Sequence, residues 1–299
     1  MKVKINLWLC PIKLQIITLN IQEKHMMKKI FILPFVVYTL MGCVSSDVKE
    51  SDFSADLNRA EVTEQTIKNE QKNVDSQSQV DPKVIALLQG MGELLASSKQ
   101  FSFSALTLKE QVLPTGQKLQ YDANIHVDIK RPNAFLGKMS SGAKNKNLFY
   151  DGKSLTLLDL NNNFYATTEA PGNIDDTLDF VMDKYGVSMP LADFLFADIN
   201  ATLTENIQSG FYVALTEVNG TKAHHLAFTQ ENVDWQIWIN AEGQPSPVKF
   251  VINYKNKTSE PQFMAFFQDW NLAPSLKTTD FNFQPSKEMV KIEFIEVDE

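Results

Sequence analysis

The chain has 299 residues, 43% of them hydrophobic and 10% aromatic, which is enough apolar surface to build the core of one or two domains. The first 42 residues hold six lysines and one acidic residue, leaving 22 basic and 35 acidic residues, a net charge of −13. Such a surface is unsuited to nucleic acid, because phosphate contacts need clustered lysine and arginine.

The N-terminal region has the pattern of a secretion signal. Two lysines precede an apolar stretch over residues 30–41, which is shorter than the roughly 20 residues that span a bilayer. The stretch ends in Leu40-Met41-Gly42-Cys43, which resembles the lipobox where bacterial lipoproteins are cleaved and acylated. We therefore predict a signal peptide over residues 1–42 and a lipid on Cys43. The alternatives are a plain signal peptide or a short anchor helix.

Two further features concern where the signal begins and which membrane receives the protein. Met26 and Met27 stand where a signal would begin, so residues 1–25 are either a mis-assigned start or an extended signal. The residue after Cys43 is Val44, which by resemblance to Gram-negative sorting rules favours the outer membrane. We expect an envelope protein that faces the periplasm. Since anionic head groups repel an acidic surface, the lipid anchor has to hold the protein at the membrane.

Residues 43–80 predict a lipidated, disordered tether. They are rich in serine, acidic and amide residues and poor in large apolar ones, so they cannot bury enough surface to fold. A fraying helix over 55–69 is the alternative. The remaining cysteine, Cys10, precedes the predicted cleavage site, so the mature domain is expected to have no thiol and no disulfide.

Residues 81–299 predict a single folded domain that begins with a helix. Asp81 is a good helix cap and Pro82 a good first helical residue. Apolar residues then recur at helical spacing, which predicts a helix over 82–98. These residues are Val84, Leu87, Leu88, Met91, Leu94 and Leu95.

After this helix the hydrophobic period changes to two. From Leu119 to Lys130 apolar and polar residues alternate strictly, which predicts a strand with one buried face. The stretch from Phe101 to Leu113 predicts its hairpin partner, across a turn at Pro114-Thr115-Gly116. Glycine and asparagine turns separate four further predicted strands, at 134–140, 147–151, 154–159 and 163–168.

Residues 174–204 interrupt the strands with a helical insertion. One helix is predicted around Ile174 to Tyr185 and a second, short one from Leu191 to Phe196. Strands resume at 211–218, 222–230, 233–240, 247–255 and 262–272. This order predicts a mainly β, α+β fold: a half-open antiparallel barrel with an N-terminal helix and a helical lid.

Several short segments over residues 82–285 resemble a bacterial family of predicted periplasmic proteins, domain of unknown function 2092. The resemblance implies no activity. Its layout is similar to the carriers and receptors of the lipoprotein-localisation system (the LolA/LolB-like superfamily), in which helices cover an apolar cavity of an incomplete barrel. The segments are Tyr150-Asp151-Gly152-Lys153, Leu178-Asp179-Phe180, Asp183-Lys184-Tyr185-Gly186, Pro190-Leu191-Ala192-Asp193, His225-Leu226-Ala227-Phe228, Val233-Asp234-Trp235-Gln236-Ile237-Trp238 and Asp269-Trp270-Asn271-Leu272.

No catalytic, metal or cofactor motif stands out. There is no Gly-x-Ser-x-Gly nucleophile turn, no His-Glu-x-x-His and no phosphate-binding glycine loop. His224 and His225 are adjacent on a predicted strand, so they should point to opposite faces and not share a metal. The acidic residues at 175–183 fit helix capping better than glycoside hydrolysis. We expect a protein that is not an enzyme and that binds no cofactor.

The remaining signal is a set of large apolar residues on the predicted sheet and insertion. They are consistent either with a packed core or with a partly unfilled cavity for a lipid or other hydrophobic small molecule. An envelope assembly or accessory protein that uses an exposed Trp238 or Trp270 as a contact is the alternative. The candidate cavity residues are Tyr121, Ile125, Val127, Trp235, Ile237, Phe250 and Phe267, and the candidate lid residues are Leu178, Phe180, Met182, Met189 and Phe194.

Overall fold

The computed structural model describes residues 80–142, 144–187, 189 and 191–296. The predicted signal, the lipid site at Cys43 and the tether up to residue 79 lie outside the described residues. None of the helices in the described ranges is long and apolar enough to cross a membrane. The helices are α1 (Pro82–Ser97), α2 (Ile174–Tyr185) and α3 (Ile199–Thr204), with 3-10 turns at Ala192–Phe194 and Thr278–Phe281.

The described chain forms one twelve-stranded sheet, ordered β12-β6-β5-β4-β3-β2-β1-β11-β10-β9-β8-β7. Its pairs are antiparallel except for β12, which runs parallel to β6. The sheet does not close, and β12 and β7 are its two edges. The strands are β1 (Gln100–Val112), β2 (Lys118–Lys130), β3 (Ala134–Ser140), β4 (Asn145–Tyr150), β5 (Ser154–Asp159), β6 (Phe164–Glu169), β7 (Ser209–Val218), β8 (Thr221–Thr229), β9 (Val233–Asn240), β10 (Pro247–Tyr254), β11 (Gln262–Asn271) and β12 (Val290–Ile292).

The mainly β, open-sheet prediction is confirmed, and its element bounds agree with the structure to within about two residues over most of the chain. The predicted N-cap of α1 is also observed, since the side chain of Asp81 accepts a hydrogen bond from the backbone N–H of Lys83. The short helix predicted from Leu191 to Phe196 is a 3-10 turn, followed by α3.

One face of the sheet, here called the inner face, carries the helices and the main core. Directly opposed residues of antiparallel strands share a face, so the inner face follows from the register. It includes Phe103, Val127, Leu148, Leu226 and Phe250, which belong to one buried cluster. The same cluster contains the apolar faces of α1, α2 and α3: Val84, Leu88, Met91, Leu95, Ile174, Leu178, Val181, Ile199 and Leu203.

The opposite, outer face is partly covered by the C-terminal segment. Phe281 is buried against Ala134 and Leu136, and the ring of Phe283 lies 5.4 Å from that of Phe149. The segment then reaches the sheet edge and forms β12 beside β6. No element is predicted there from sequence, because three residues are too few for a periodic pattern.

Trp270 lies on the same face as Phe267, although strict alternation along β11 would place the two side chains on opposite faces. A bulge shifts the register between β1 and β11 at this point, where Asp269 has a positive φ of 53°. The extra residue turns Trp270 to the inner face, where its ring stacks on Phe267 and lies 4.7 Å from that of Phe103.

Candidate functional site

Four of the candidate cavity residues lie together on the inner face of β9, β10 and β11. Trp235, Ile237, Phe250 and Phe267 are all buried there. The space above them is occupied by Phe194 of the insertion, which has no exposed surface. Its ring meets those of Phe250 and Phe267 at centroid distances of 5.4 and 5.1 Å. The interior beneath this part of the insertion is therefore filled by the insertion itself.

The backbone beside Phe194 is held to the sheet by Arg131. Its two terminal nitrogens donate to the carbonyl oxygens of Leu195 and Phe196, each at 2.9 Å. The insertion is also tied internally, because the N–H of Ala197 donates to the carboxylate of Asp175 at 3.0 Å. A planar guanidinium suits this role, since two parallel donors can hold two successive carbonyl groups.

The other candidate lid residues differ in how far they are buried. Leu178 is buried on α2, whereas Phe180, Met182 and Met189 are half-buried. Phe180 meets Tyr185 of the same helix edge-on, at a centroid distance of 5.7 Å. Of the predicted lid residues, only Phe194 makes a ring contact with a predicted cavity residue.

The three remaining cavity candidates lie on β2. Ile125 and Val127 are buried in the main core, but Tyr121, further along the same face, is 52% exposed. The register continues this face through Met139 on β3, Leu157 on β5 and Phe164 on β6 to Val290 and Ile292 on β12. Phe164, Val290 and Ile292 are 40%, 53% and 45% exposed. We call these side chains, Tyr121, Met139, Leu157, Phe164, Val290 and Ile292, the open apolar surface.

The open apolar surface borders the main core directly. Met139 and Leu157 are half-buried and pack against the core cluster, while Leu148 between them is buried. Exposed apolar side chains grouped beside a core are typical of an interaction or ligand site. Between Met139 and Phe164 the register places Lys146 and Asp159 on the same face. The sequence analysis found Tyr121 but missed Phe164, Val290 and Ile292, since these lie in short strands without clear alternation.

A groove of about 720 Å³ lies on the outer face. Ser104 and His126 both line it and lie close together. The hydroxyl of Ser104 is 3.2 Å from Nδ1 of His126, and Nε2 of that ring is 3.2 Å from the carboxylate of Asp128. A carboxylate accepts but does not donate, so Asp128 favours the proton on Nε2 and leaves Nδ1 to accept from Ser104. Sequence reasoning missed this set because the serine and histidine lie on different strands, without a local motif.

The adjacent histidines point to opposite faces, as predicted. His224 lies 3.1 Å from the hydroxyl of Tyr212 on the inner face, and His225 lies 2.8 Å from Oε1 of Gln236 on the outer face. Within the described ranges, no group of three or more potential ligand side chains is arranged to hold a metal ion.

Trp238 and Trp270 both contact neighbouring groups of the sheet. Trp238 is 8% exposed and stacks on His225 at a centroid distance of 3.9 Å, with Lys249 4.4 Å from its ring. Trp270 is half-buried, and its indole N–H donates to the carbonyl of Pro247 at 2.8 Å. The interpretation of Trp238 as an exposed anchor is wrong, because its ring is covered by neighbouring side chains. Trp270 is partly accessible, and its use as a contact stays a prediction.

A family model described as "Predicted periplasmic protein (DUF2092)" matches residues 84–295. A search of curated proteins found no match.

Several solved structures are similar to the chain at low sequence identity. The lipoprotein LppX of Mycobacterium tuberculosis is 10% identical with a TM-score of 0.39, covering 66% of this chain and 100% of its own. LprF of Mycobacterium bovis is 9% identical with a TM-score of 0.39, covering 66% and 96%. The LolA superfamily protein NE2245 of Nitrosomonas europaea is 11% identical with a TM-score of 0.35, again covering 66% and 96%.

Proposed function

Because this chain belongs to the DUF2092 family of predicted periplasmic proteins, we propose that it is a non-catalytic envelope protein that holds a lipid or acyl chain against the inner face of its sheet. The observation that carries the proposal is the open apolar surface. Tyr121, Phe164, Val290 and Ile292 expose large apolar groups beside the core, on the part of the inner face that is left uncovered. A hydrophobic ligand would extend the core across them.

Burial of an acyl chain provides enough free energy for micromolar binding. Burying about ten methylene groups contributes roughly 8 kcal/mol, at about 0.8 kcal/mol for each. A complex with a micromolar Kd has a binding free energy of about −8 kcal/mol. Longer chains would offset the entropic cost of association. Withdrawal of Phe194 from Phe250 and Phe267 would add further apolar surface, so we infer that the insertion acts as a movable cover.

Delipidated protein titrated with acyl-chain ligands and followed by native mass spectrometry tests the proposal. We expect Phe164→Ser, which removes one wall of the open apolar surface, to weaken binding about tenfold, corresponding to 1.4 kcal/mol. Ile295→Ser is the matched control, because Ile295 is exposed but lies beyond the end of β12. Absence of any co-purified or added lipid on the wild-type protein would overturn the proposal.

Anchoring is a separate part of the proposal. We infer that a lipid on Cys43 attaches the protein to the outer membrane and that residues 44–80 let the domain move near the bilayer. Fractionation of cells tests it, since Cys43→Ser should move the protein out of the membrane pellet. Retention of this variant in the pellet, at the wild-type level, would show that another feature provides attachment.

The proposal that the protein is not an enzyme is tested at Ser104. Ser104 is paired with His126 on β2 and with Gln268 on β11, next to the bulge at Asp269. Acyl transfer requires donors aimed at a developing oxyanion as well as a serine and a base. We expect no reaction of Ser104 with a fluorophosphonate probe. Labelling that disappears in Ser104→Ala and falls in Asp128→Asn would instead identify a hydrolase.

A second candidate function is favoured by the edge strand β7. Phe211 and Leu215 are more than half exposed on this strand, and Val213 between them is also exposed. Outside β8, its described contacts are near its start, where Val80 bridges to Gly210 and Nζ of Lys83 lies 3.7 Å from the ring of Tyr212. An unprotected apolar edge can accept a strand from another protein. This supports the alternative of an accessory protein that acts through protein contacts.

A further inference from the structure

Three lysines, two of them on the inner face, lie beside the open apolar surface. Lys109 projects from the inner face of β1, opposite Tyr121 on one side and Phe263 on the other. Lys146 lies on the inner face of β4, opposite Met139. Lys144 belongs to the turn between β3 and β4 and lies close enough to Lys109 for their charges to interact.

In the described part of the chain, none of these three side chains forms an ion pair, although the domain is acidic. Several other lysines do, among them Lys222 with Glu242 at 2.8 Å. Asp159 lies directly opposite Lys146 on β5. Its carboxylate instead accepts from the backbone of Asn161 and Asn162, which stabilises the following turn. Lys109 lies between Tyr121 and Phe263 with no carboxylate opposite it, whereas Lys146 faces the carboxylate of Asp159.

The environment of Lys109 disfavours its own charge. Partial desolvation of its ammonium group lowers the pKa of Lys109, although the residue is exposed, and the positive charge of Lys144 lowers the pKa further. Both effects would be relieved by a negative group placed between the two ammonium groups, because an opposite charge favours the charged form. An anion is thus the complementary occupant of this position.

We propose that the open apolar surface binds an anionic amphiphile, whose charged end lies between Lys109 and Lys144 and whose hydrocarbon chain lies toward β12. This inference rests on the proposed function and specifies its ligand. From β4 to β12 there are three strand spacings, or about 14 Å at roughly 4.8 Å each. Leu157, Phe164 and Val290 provide apolar contacts along that path.

The test compares a fluorescent polyene fatty acid with its methyl ester, which has the same chain but no charge. The protein is the full chain carrying Cys43→Ser, so that its own lipid does not compete. We expect the acid to bind at least tenfold more tightly than the ester. Lys109→Gln with Lys144→Gln should remove that difference while leaving ester binding unchanged. Lys138→Gln, on the outer face of β3, is the matched control.

The outcomes separate this inference from the proposed function. Equal affinity for acid and ester, unaffected by the lysine substitutions, would overturn the anionic ligand and leave hydrophobic binding in place. Failure of both probes to bind would overturn both proposals. A lysophospholipid with a phosphate group, tested in the same assay, distinguishes the two sources of the anionic group. Competition with the acid that depends on Lys109 and Lys144 indicates a phospholipid headgroup. Absence of such competition indicates a free carboxylate.

Discussion

The ring of Phe194 meets the ring of Phe250 edge-on, with centroids 5.4 Å apart and planes at 87°. This contact joins the helical insertion to the centre of the sheet. It places a side chain of the protein where the sequence analysis expected either a cavity or a packed core. Whether Phe194 is a fixed part of the core or a replaceable cover decides how far a ligand can enter.

Phe194→Ala is expected to separate these two roles. Loss of a fully buried phenylalanine should lower the free energy of unfolding by about 3–5 kcal/mol, measured by urea denaturation. If Phe194 is a movable cover, the same substitution also strengthens acyl-chain binding, because the ligand no longer competes with the ring. Phe281→Ala, equally buried but on the outer face, is the control for stability alone. Weaker binding by Phe194→Ala than by Phe281→Ala would contradict the cover.

Arg131→Lys should loosen the insertion without removing the positive charge. A single ammonium group cannot reproduce the two hydrogen bonds to Leu195 and Phe196, and bonds to charged donors contribute about 1.5–3 kcal/mol. We expect backbone amides of residues 192–196 to exchange hydrogen at least tenfold faster, by mass spectrometry. Lys130→Gln, the neighbour whose Nζ donates to Thr278, should leave their exchange unchanged. Equal protection in Arg131→Lys and the wild type would show that Arg131 does not hold the insertion.

Sequence periodicity predicted most of the strands because each buried face alternates with a polar one, as on β2 from Ile125 to Lys130. It failed where the period is broken. The bulge at Asp269 reverses the face of Trp270, and a one-residue insertion has no signature in composition. The edge strand β12 is set by the path of the C-terminal segment over the outer face, a tertiary effect that a local pattern does not contain.

The candidate site was predictable only in part for a related reason. Alternation identified Tyr121 and Phe250 as members of apolar faces, but the pattern is the same for a covered and an uncovered side chain. Phe250 is buried because Phe194 reaches it from a distant segment, whereas Tyr121 is left exposed. The lysines beside Tyr121 were likewise ordinary in sequence, and only the register brings Lys109 and Lys146 to the same face.

His225 should make stability depend on pH. Burial lowers its pKa from the ordinary value of 6.5, the hydrogen bond that Nε2 of His225 donates to Oε1 of Gln236 opposes this, and the charge of Lys249 lowers the pKa further. The unfolded chain therefore binds the proton more tightly. The stabilising contribution is complete above about pH 6.5 and is lost as the pH falls below it, toward the lower pKa of the folded state.

Urea midpoints at pH 7.5 and 5.5 measure this contribution. We expect His225→Gln to show a smaller drop between the two pH values than the wild type. Lys249→Met removes the neighbouring positive charge and should move the His225 titration, followed by NMR, to higher pH. An unchanged drop in His225→Gln would assign the acid sensitivity to other groups.

Strand addition at the edge strand β7 tests the alternative function, an accessory protein that acts through protein contacts. If a partner strand adds to this edge, a photo-cross-linking residue at Val213 should capture a protein in intact cells. The introduced charge of Phe211→Lys should reduce that capture several-fold, because edge lysines oppose strand addition. The same cross-linker at Leu160, which is exposed and apolar but away from β7, is the control position. Equal capture from both positions, or capture unaffected by Phe211→Lys, would mean that the edge is not a specific docking site, and the exposed apolar residues of the inner face would remain the basis for function.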